Sequence, residues 1–219
     1  MDPSYEFLRE ALRPERWQRL QQVLDSRLGS VRVVVENVHD PHNLSAVLRS
    51  AEALGVQHVH VVEAASGFGI SRRITRGAHK WLTVHRHQEF GACAGVLRDA
   101  GFRLYAAMLQ PGAVPLEAVP VADPVALVLG NEHAGVSAEA VAGCDGCYTI
   151  PMTGFVQSFN ISVAAAVSLY SVTTRARALR ADGGRLSEPD RQAVLESWLP
   201  KSLRCGRRVV RTGRGRLEP

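Results

Sequence analysis

Apolar positions along the chain follow two alternating periods. VRVVVE (31–36), HVHVVE (58–63), WLTVHR (81–86), RLYAAM (103–108) and VALVLG (125–130) are short, β-branched runs that read as strands, with a further short strand at 147–150. Between them LSAVLRSAEAL (44–54), QEFGACAGVLRDA (88–100), AEAVAG (138–143) and a long stretch from about 158 to 180 read as helices. Strands alternating with helices predict an α/β fold, a mostly parallel sheet with helices on both faces. Four segments are expected. Residues 1–28 form an N-terminal arm, helical over 5–25, and residues 29–182 form the sheet domain. Residues 183–200 hold a C-terminal helix, amphipathic over 188–199 and ended by Pro200, and 201–219 form a basic, disordered tail.

Composition narrows the class. A chain of 219 residues with 46% hydrophobic and 21% charged residues buries its own core and is neither disordered nor fibrous. Its apolar runs stop short of the ~20 residues a membrane helix needs. The first twenty residues mix Asp2, Glu6, Glu10 and Glu15 with arginines, unlike a signal or transit peptide. Four scattered cysteines make no disulfide scaffold, so a reducing cytoplasm is the expected compartment. The formal charge of +5 is unevenly placed: residues 201–219 hold seven bases and one acid, and the remainder 19 bases and 20 acids. All but Lys80 and Lys201 of the 26 bases are arginine, whose planar fork suits phosphate, although a GC-rich genome gives the same bias.

Three segments concentrate polar groups where strands end. In ENVHDPHNLSAVLRSAEALG (36–55), Asp40-Pro41 marks a turn and Asn43 is placed to cap the helix. Leu44, Val47, Leu48, Ala51 and Leu54 form its apolar stripe, and Arg49 points ~140° from Leu44, off the core. That puts Arg49 on the open face past the carboxyl end of a strand, where α/β proteins bind ligands; spacing also allows a solvated arginine paired with Glu52. In LVLGNEHAGVS (127–137), Gly130 ends a buried strand, Glu132 sits in a glycine-bounded loop, either functional or simply exposed, and Ser137 caps the next helix. In IPMTGFVQSFNISVAAAVSLY (150–170), Gln157, Ser158 and Asn160 crowd the mouth of a helix, as capping groups or as site groups. That helix is apolar all round from Val163 to Val167, so it belongs in a core or a subunit interface. A basic stretch at 71–87 carries Arg72, Arg73, Arg76, Lys80 and Arg86 with Trp81 and no acid, which fits either a phosphate-binding stripe or a charged surface. Other signals fail. Gly67-Phe68-Gly69 lacks the third glycine of a dinucleotide fingerprint, Cys144 and Cys147 form a lone CxxC, and the eight histidines show no metal spacing, so no metal is expected.

Taken together and in this order, the three segments resemble the three motifs of the SpoU branch of the SPOUT RNA methyltransferases, over about residues 20–200. The first segment, with GAHKW at 77–81, is similar to the tRNA guanosine-18 2′-O-methyltransferase subgroup. The resemblance implies a C-terminal trefoil knot, an obligate homodimer, S-adenosylmethionine as cofactor and tRNA as partner. It carries over Asn43, Arg49, Glu132, Ser158 and Asn160 as catalytic residues. It places the cofactor against the loops near Leu109, Gly130, Ile150, Met152, Ser158, Phe159 and Asn160. Phe155 and Phe159 stand where the family has aliphatic residues. RNA contacts are expected from Arg49, Arg72, Arg73, Arg76 and Lys80, and from the tail residues Arg204, Arg207, Arg208 and Arg211.

Such an enzyme aligns a ribose 2′-hydroxyl with an electrophilic methyl group and removes its proton. Arg49 is expected to stabilise the developing alkoxide while gripping a nearby phosphate, because a guanidinium does not give up its proton in proteins. Ser158 and Asn160 orient cofactor and ribose, and Glu132 braces the loops. Ribosomal RNA ribose methylation is the alternative within the class, and a non-catalytic RNA-binding module the alternative outside it.

Overall fold

The structure is a computed structural model and describes residues 3–63, 77–131 and 134–203. It divides into two compact units, Met1–Arg27 with Leu186–Pro219, and Leu28–Arg185.

The larger unit is a seven-stranded sheet, parallel at every pairing. Its strands are β1 (Leu28–Glu36), β2 (Val56–Val62), β3 (Thr83–His87), β4 (Arg103–Ala107), β5 (Val114–Pro115), β6 (Val125–Leu129) and β7 (Gly146–Thr149), in the spatial order β3-β2-β1-β6-β4-β7-β5. The two-residue β5 adds an edge that periodicity cannot show. Strand β6, and β1 over Val33–Val35, are buried on both sides, which is why they read as unbroken apolar runs. The pleat sorts their side chains. Val31, Val33 and Val35 with Leu127 and Leu129 join one core, and Val34 with Ala126 and Val128 joins the other. The first core is covered by α3 (Pro41–Ala53), through Leu44, Val47, Leu48 and Ala51, and by the long C-terminal helix of the unit, Ile161–Leu179. The second is covered by α4 (Phe90–Asp99) and α5 (Ala138–Ala142). The long helix is α6, and among the described residues no helix is long and apolar enough to cross a membrane.

The smaller unit holds α1 (Pro3–Glu10), α2 (Pro14–Asp25) and α7 (Glu188–Ser202), so the expected single arm is two helices broken before Pro14. Arg191 ties α7 to α2 through Asp25 (2.8 Å), and the Arg27 guanidinium lies 5.1 Å over the Trp198 ring. Pro200 does not end α7, as the sequence predicts it should. Burial of Trp198 and Leu199 holds the last turn despite the lost backbone donor, and Ser202 Oγ donates to the Trp198 carbonyl at 2.8 Å.

Candidate active site

The carboxyl ends of β4, β6 and β7 open onto a cavity of about 310 Å³, the position and size expected of a ligand site in an α/β fold. Three stretches line it. Ala107, Met108 and Leu109 run out of β4, Gly130, Asn131, Ala134 and Gly135 come after β6, and the chain from Tyr148 runs on through Ile150, Met152, Ser158 and Phe159 into α6. Of the seven residues expected to hold a cofactor, Leu109, Gly130, Ile150, Met152, Ser158 and Phe159 line this cavity, and Asn160 stands between two lining residues.

Local chemistry shapes each wall. Asn131 and Gly135 exchange two backbone hydrogen bonds of 2.9 Å, closing a narrow loop after β6. A Cβ on Gly130 would lie 2.1 Å from the Gly135 carbonyl oxygen, so only glycine lets the two strands of the loop meet. The loop is tied to the end of β1. Asn131 Nδ2 donates at 2.8 Å to the carbonyl of Asn37, which takes the left-handed conformation (φ 50°) that asparagine tolerates. Buried Glu36 receives both the amide and the hydroxyl of Ser137, and Ser137 Oγ in turn caps α5 by accepting from Ala140 N. On the opposite wall, the fully buried Tyr148 donates its hydroxyl to Ser168 on α6 at 3.0 Å, and burial raises its pKa.

The N-terminus of α6 is capped by Asn160, whose Oδ1 accepts from Ser162 N at 2.9 Å and from the Ser162 hydroxyl at 2.6 Å. Its Nδ2 donates to Asn43 Oδ1 at 3.2 Å, so residues 117 positions apart join the first turns of two helices. Asn43 is not the cap of α3. Asp40 accepts from His42 N (2.8 Å) and Pro41 takes the first helical position, where its fixed φ fits, which leaves Asn43 within the first turn facing Asn160. Ser158 lies outside α6, which begins at Ile161, so its role is at the cavity wall rather than in capping.

Arg49 is exposed on α3, away from the buried stripe, and forms no ion pair with Glu52 among the described residues. Lys80 lies on the 3₁₀ turn Ala78–Trp81, which packs against α3, with its ammonium 4.6 Å from the Trp81 ring. Glu132, Arg72, Arg73 and Arg76 lie outside the described residues, as do Arg204, Arg207, Arg208 and Arg211 with the rest of the tail from 204. Sequence reasoning missed Glu36, Asn37, Asn131 and Tyr148. Glu36 had a signal, a carboxylate closing the apolar run Val33–Val35.

A parallel α/β sheet with a cavity at its strand ends, walled by three loops and the start of α6, defines a small-molecule site of the kind that α/β enzymes carry. The chain belongs to the SpoU rRNA Methylase family, whose model matches residues 30–170. It is 40% identical over 187 residues to a tRNA (guanosine(18)-2′-O)-methyltransferase of Thermus thermophilus, covering 85% of this chain and 96% of that one. Its fold matches the Aquifex aeolicus TrmH/SpoU tRNA modifying enzyme with a TM-score of 0.77 and 33% identity, over 86% of this chain and 97% of that one. It also matches the SpoU methyltransferase AviRb from Streptomyces viridochromogenes, solved in complex with AdoMet (TM-score 0.61, 29% identity, 68% and 62% covered).

Proposed function

We infer that the chain is an S-adenosylmethionine-dependent tRNA 2′-O-ribose methyltransferase acting on guanosine 18. One observation carries the reading: the cavity at the ends of β4, β6 and β7 is lined by the residues expected to hold the cofactor, and the Asn43–Asn160 bond joins two helix starts beside it. The cavity fits the cofactor in kind, since Leu109, Ile150, Met152 and Phe159 supply apolar walls and the loop ends supply main-chain polar groups. When bound, S-adenosylmethionine supplies an electrophilic methyl group. The protein aligns the ribose hydroxyl and stabilises the charge that develops as the hydroxyl loses its proton. The starts of α3 and α6 carry partial positive charge, which favours an anion there. Arg49 lies ~9 Å along α3 from Asn43 and ~120° around it, so it serves the RNA side, on a phosphate and the developing alkoxide. Glu132 braces the loop after β6 in this reading. Arg72, Arg73, Arg76, Lys80 and the tail arginines position the tRNA backbone.

The reading includes a homodimer and the family's C-terminal knot. Val163, Val167 and Tyr170 form one exposed apolar row on α6, 38–64% accessible, which a second copy would cover. The knot rests on membership of the SpoU family. Free cysteines 93, 144 and 147 fit the cytoplasm, where thiols stay reduced. Incubation of the purified protein with labelled S-adenosylmethionine and with tRNA or rRNA separately, followed by mapping of the methylated nucleotide, tests it. Label at tRNA guanosine 18 is the expected result, and label in rRNA alone overturns it.

A further inference from the structure

On the sheet face opposite α3 and α6, strands β2 and β3 each present two histidines. His58 and His60 occupy alternate positions on β2, and His85 and His87 on β3, with His60 in register with His85. The rings form one stacked column in the order His58, His85, His60, His87, with centroids 5.3, 4.5 and 5.3 Å apart. Two ring-to-ring hydrogen bonds of 3.0 Å cross the strands, His58 Nδ1 to His85 Nε2 and His60 Nδ1 to His87 Nε2. Cys93 on α4 is buried against the lower end of this column, and one ring nitrogen each of His60 and His87 lies with the Cys93 sulfur inside a cluster no wider than 4.8 Å.

We propose that His60, His87 and Cys93 form a binding site for a divalent transition-metal ion of borderline softness, zinc being the best match.

The donor set is two imidazoles and one thiolate, which zinc takes at about 2.0–2.3 Å in a tetrahedral arrangement. Tetrahedral ligands at those lengths stand about 3.3–3.6 Å apart, so small side-chain rotations close the cluster around an ion. His60 is fully buried and its Nε2 has no hydrogen-bond partner among the described residues, a cost that pure packing does not explain. Burial, with Arg32 and the neighbouring rings adding to it, holds the His60 pKa down to about 2, so its imidazole is in the neutral, ligating form. Burial pushes the Cys93 thiol up to about 12, opposed by Arg32. Arg32 itself sits 4.2 Å over the Phe102 ring on this face. Its charge favours the thiolate and repels the ion, so affinity falls below that of a four-thiolate site. On binding, the Cys93 S–H bond breaks, its proton leaves to solvent and a metal–sulfur bond forms. His60 ligates through Nε2 and keeps its proton on Nδ1, and His87 gives up the hydrogen bond from that Nδ1 to ligate through its own Nε2, keeping its proton on Nδ1. His87 is only half-buried, which leaves a way in from solvent and room for a water as fourth ligand. An ion here would pin β2, β3 and α4 together.

The test uses the full-length chain, stripped with chelator and titrated with Co²⁺ as a spectroscopic stand-in for Zn²⁺. The expected result is one equivalent bound, with thiolate-to-cobalt charge-transfer absorption in the near ultraviolet and tetrahedral visible bands, both displaced by zinc. Cys93→Ser should remove the charge-transfer band. His87→Gln, at a half-exposed edge position that leaves the core intact, should weaken cobalt binding by at least about tenfold, the loss that even a change beyond the ligands themselves produces. If Cys93→Ser fails to fold, His87→Gln decides alone. Absence of the charge-transfer band in the unmodified chain overturns the proposal. So does unchanged binding in His87→Gln, or a band abolished by Cys144→Ser and kept by Cys93→Ser.

Discussion

Glu36, the last residue of the first strand, holds Ser137 by two hydrogen bonds, 2.6 Å from the serine hydroxyl and 2.9 Å from its amide. The pair is 101 residues apart in sequence and fastens the loop after β6, one wall of the cavity, to the centre of the sheet. Glu36→Ala leaves the half-buried amide and hydroxyl of Ser137 without their acceptor, so it should cost about 1–2 kcal/mol in urea unfolding. Cofactor affinity by calorimetry should fall with it, because the loop loses its anchor. Unfolding and binding both unchanged would show that the loop holds its shape without this bond.

Arg49→Ala should lower methyl transfer to tRNA by about 10²–10³, the usual loss when one group stabilising a developing oxyanion is removed. Cofactor affinity should stay within a few-fold, since Arg49 is exposed on α3 and lines no part of the cavity. Arg49→Lys should also fail, because an ammonium lacks the planar fork. A large calorimetric loss of cofactor affinity in either variant would contradict the assignment.

Val167→Glu places a charge in the exposed apolar row of α6. Light scattering should then report a monomer, with methyl transfer lost. A variant that remains dimeric would locate the interface elsewhere, and an active monomer would remove the dimer from the mechanism.

A chain ending at Leu203 keeps the whole of α7 and loses six arginines. It should fold and bind the methyl donor normally. Its tRNA affinity should drop and the salt dependence of binding become shallower, because the shorter chain neutralises fewer phosphates and so releases fewer condensed counterions. The methylated nucleotide should not move, since phosphate contacts position without specifying. An unchanged salt slope would make the tail a spectator and leave RNA binding to the stretch at 72–86.

Burial also lowers the pKa of His85 and His87, as it does that of His60. The sign follows from linkage. Below about pH 6.5 an unfolded histidine takes up a proton that the folded one refuses, so the unfolded state gains and stability falls with falling pH. In chelator, urea unfolding should be flat between about pH 7 and 8 and decline below about 6.5, with up to ~1.4 kcal/mol per pH unit from His60 alone. His60→Gln should reduce that slope. A slope unchanged by the substitution would assign the acid sensitivity to other groups.

The sequence by itself determined the alternation of strands and helices, because each element's burial is written in its own period. β6, and β1 over Val33–Val35, are unbroken apolar runs because both faces are covered, and α3 carries a stripe because one face is. Six of the seven positions that the family resemblance names for the cofactor line one cavity, since the motif residues stand next to strand ends. Pairing across the chain was decided only by the tertiary structure. Asn43 met Asn160, and Glu36 met Ser137, because β1 lies beside β6 in the sheet and α3 packs against α6. The same holds for the histidines. Their spacing showed nothing, yet parallel register set two pairs side by side and α4 delivered Cys93 against them. A local pattern records which side of an element meets water, and only the order of strands in the sheet records which distant side chain it meets.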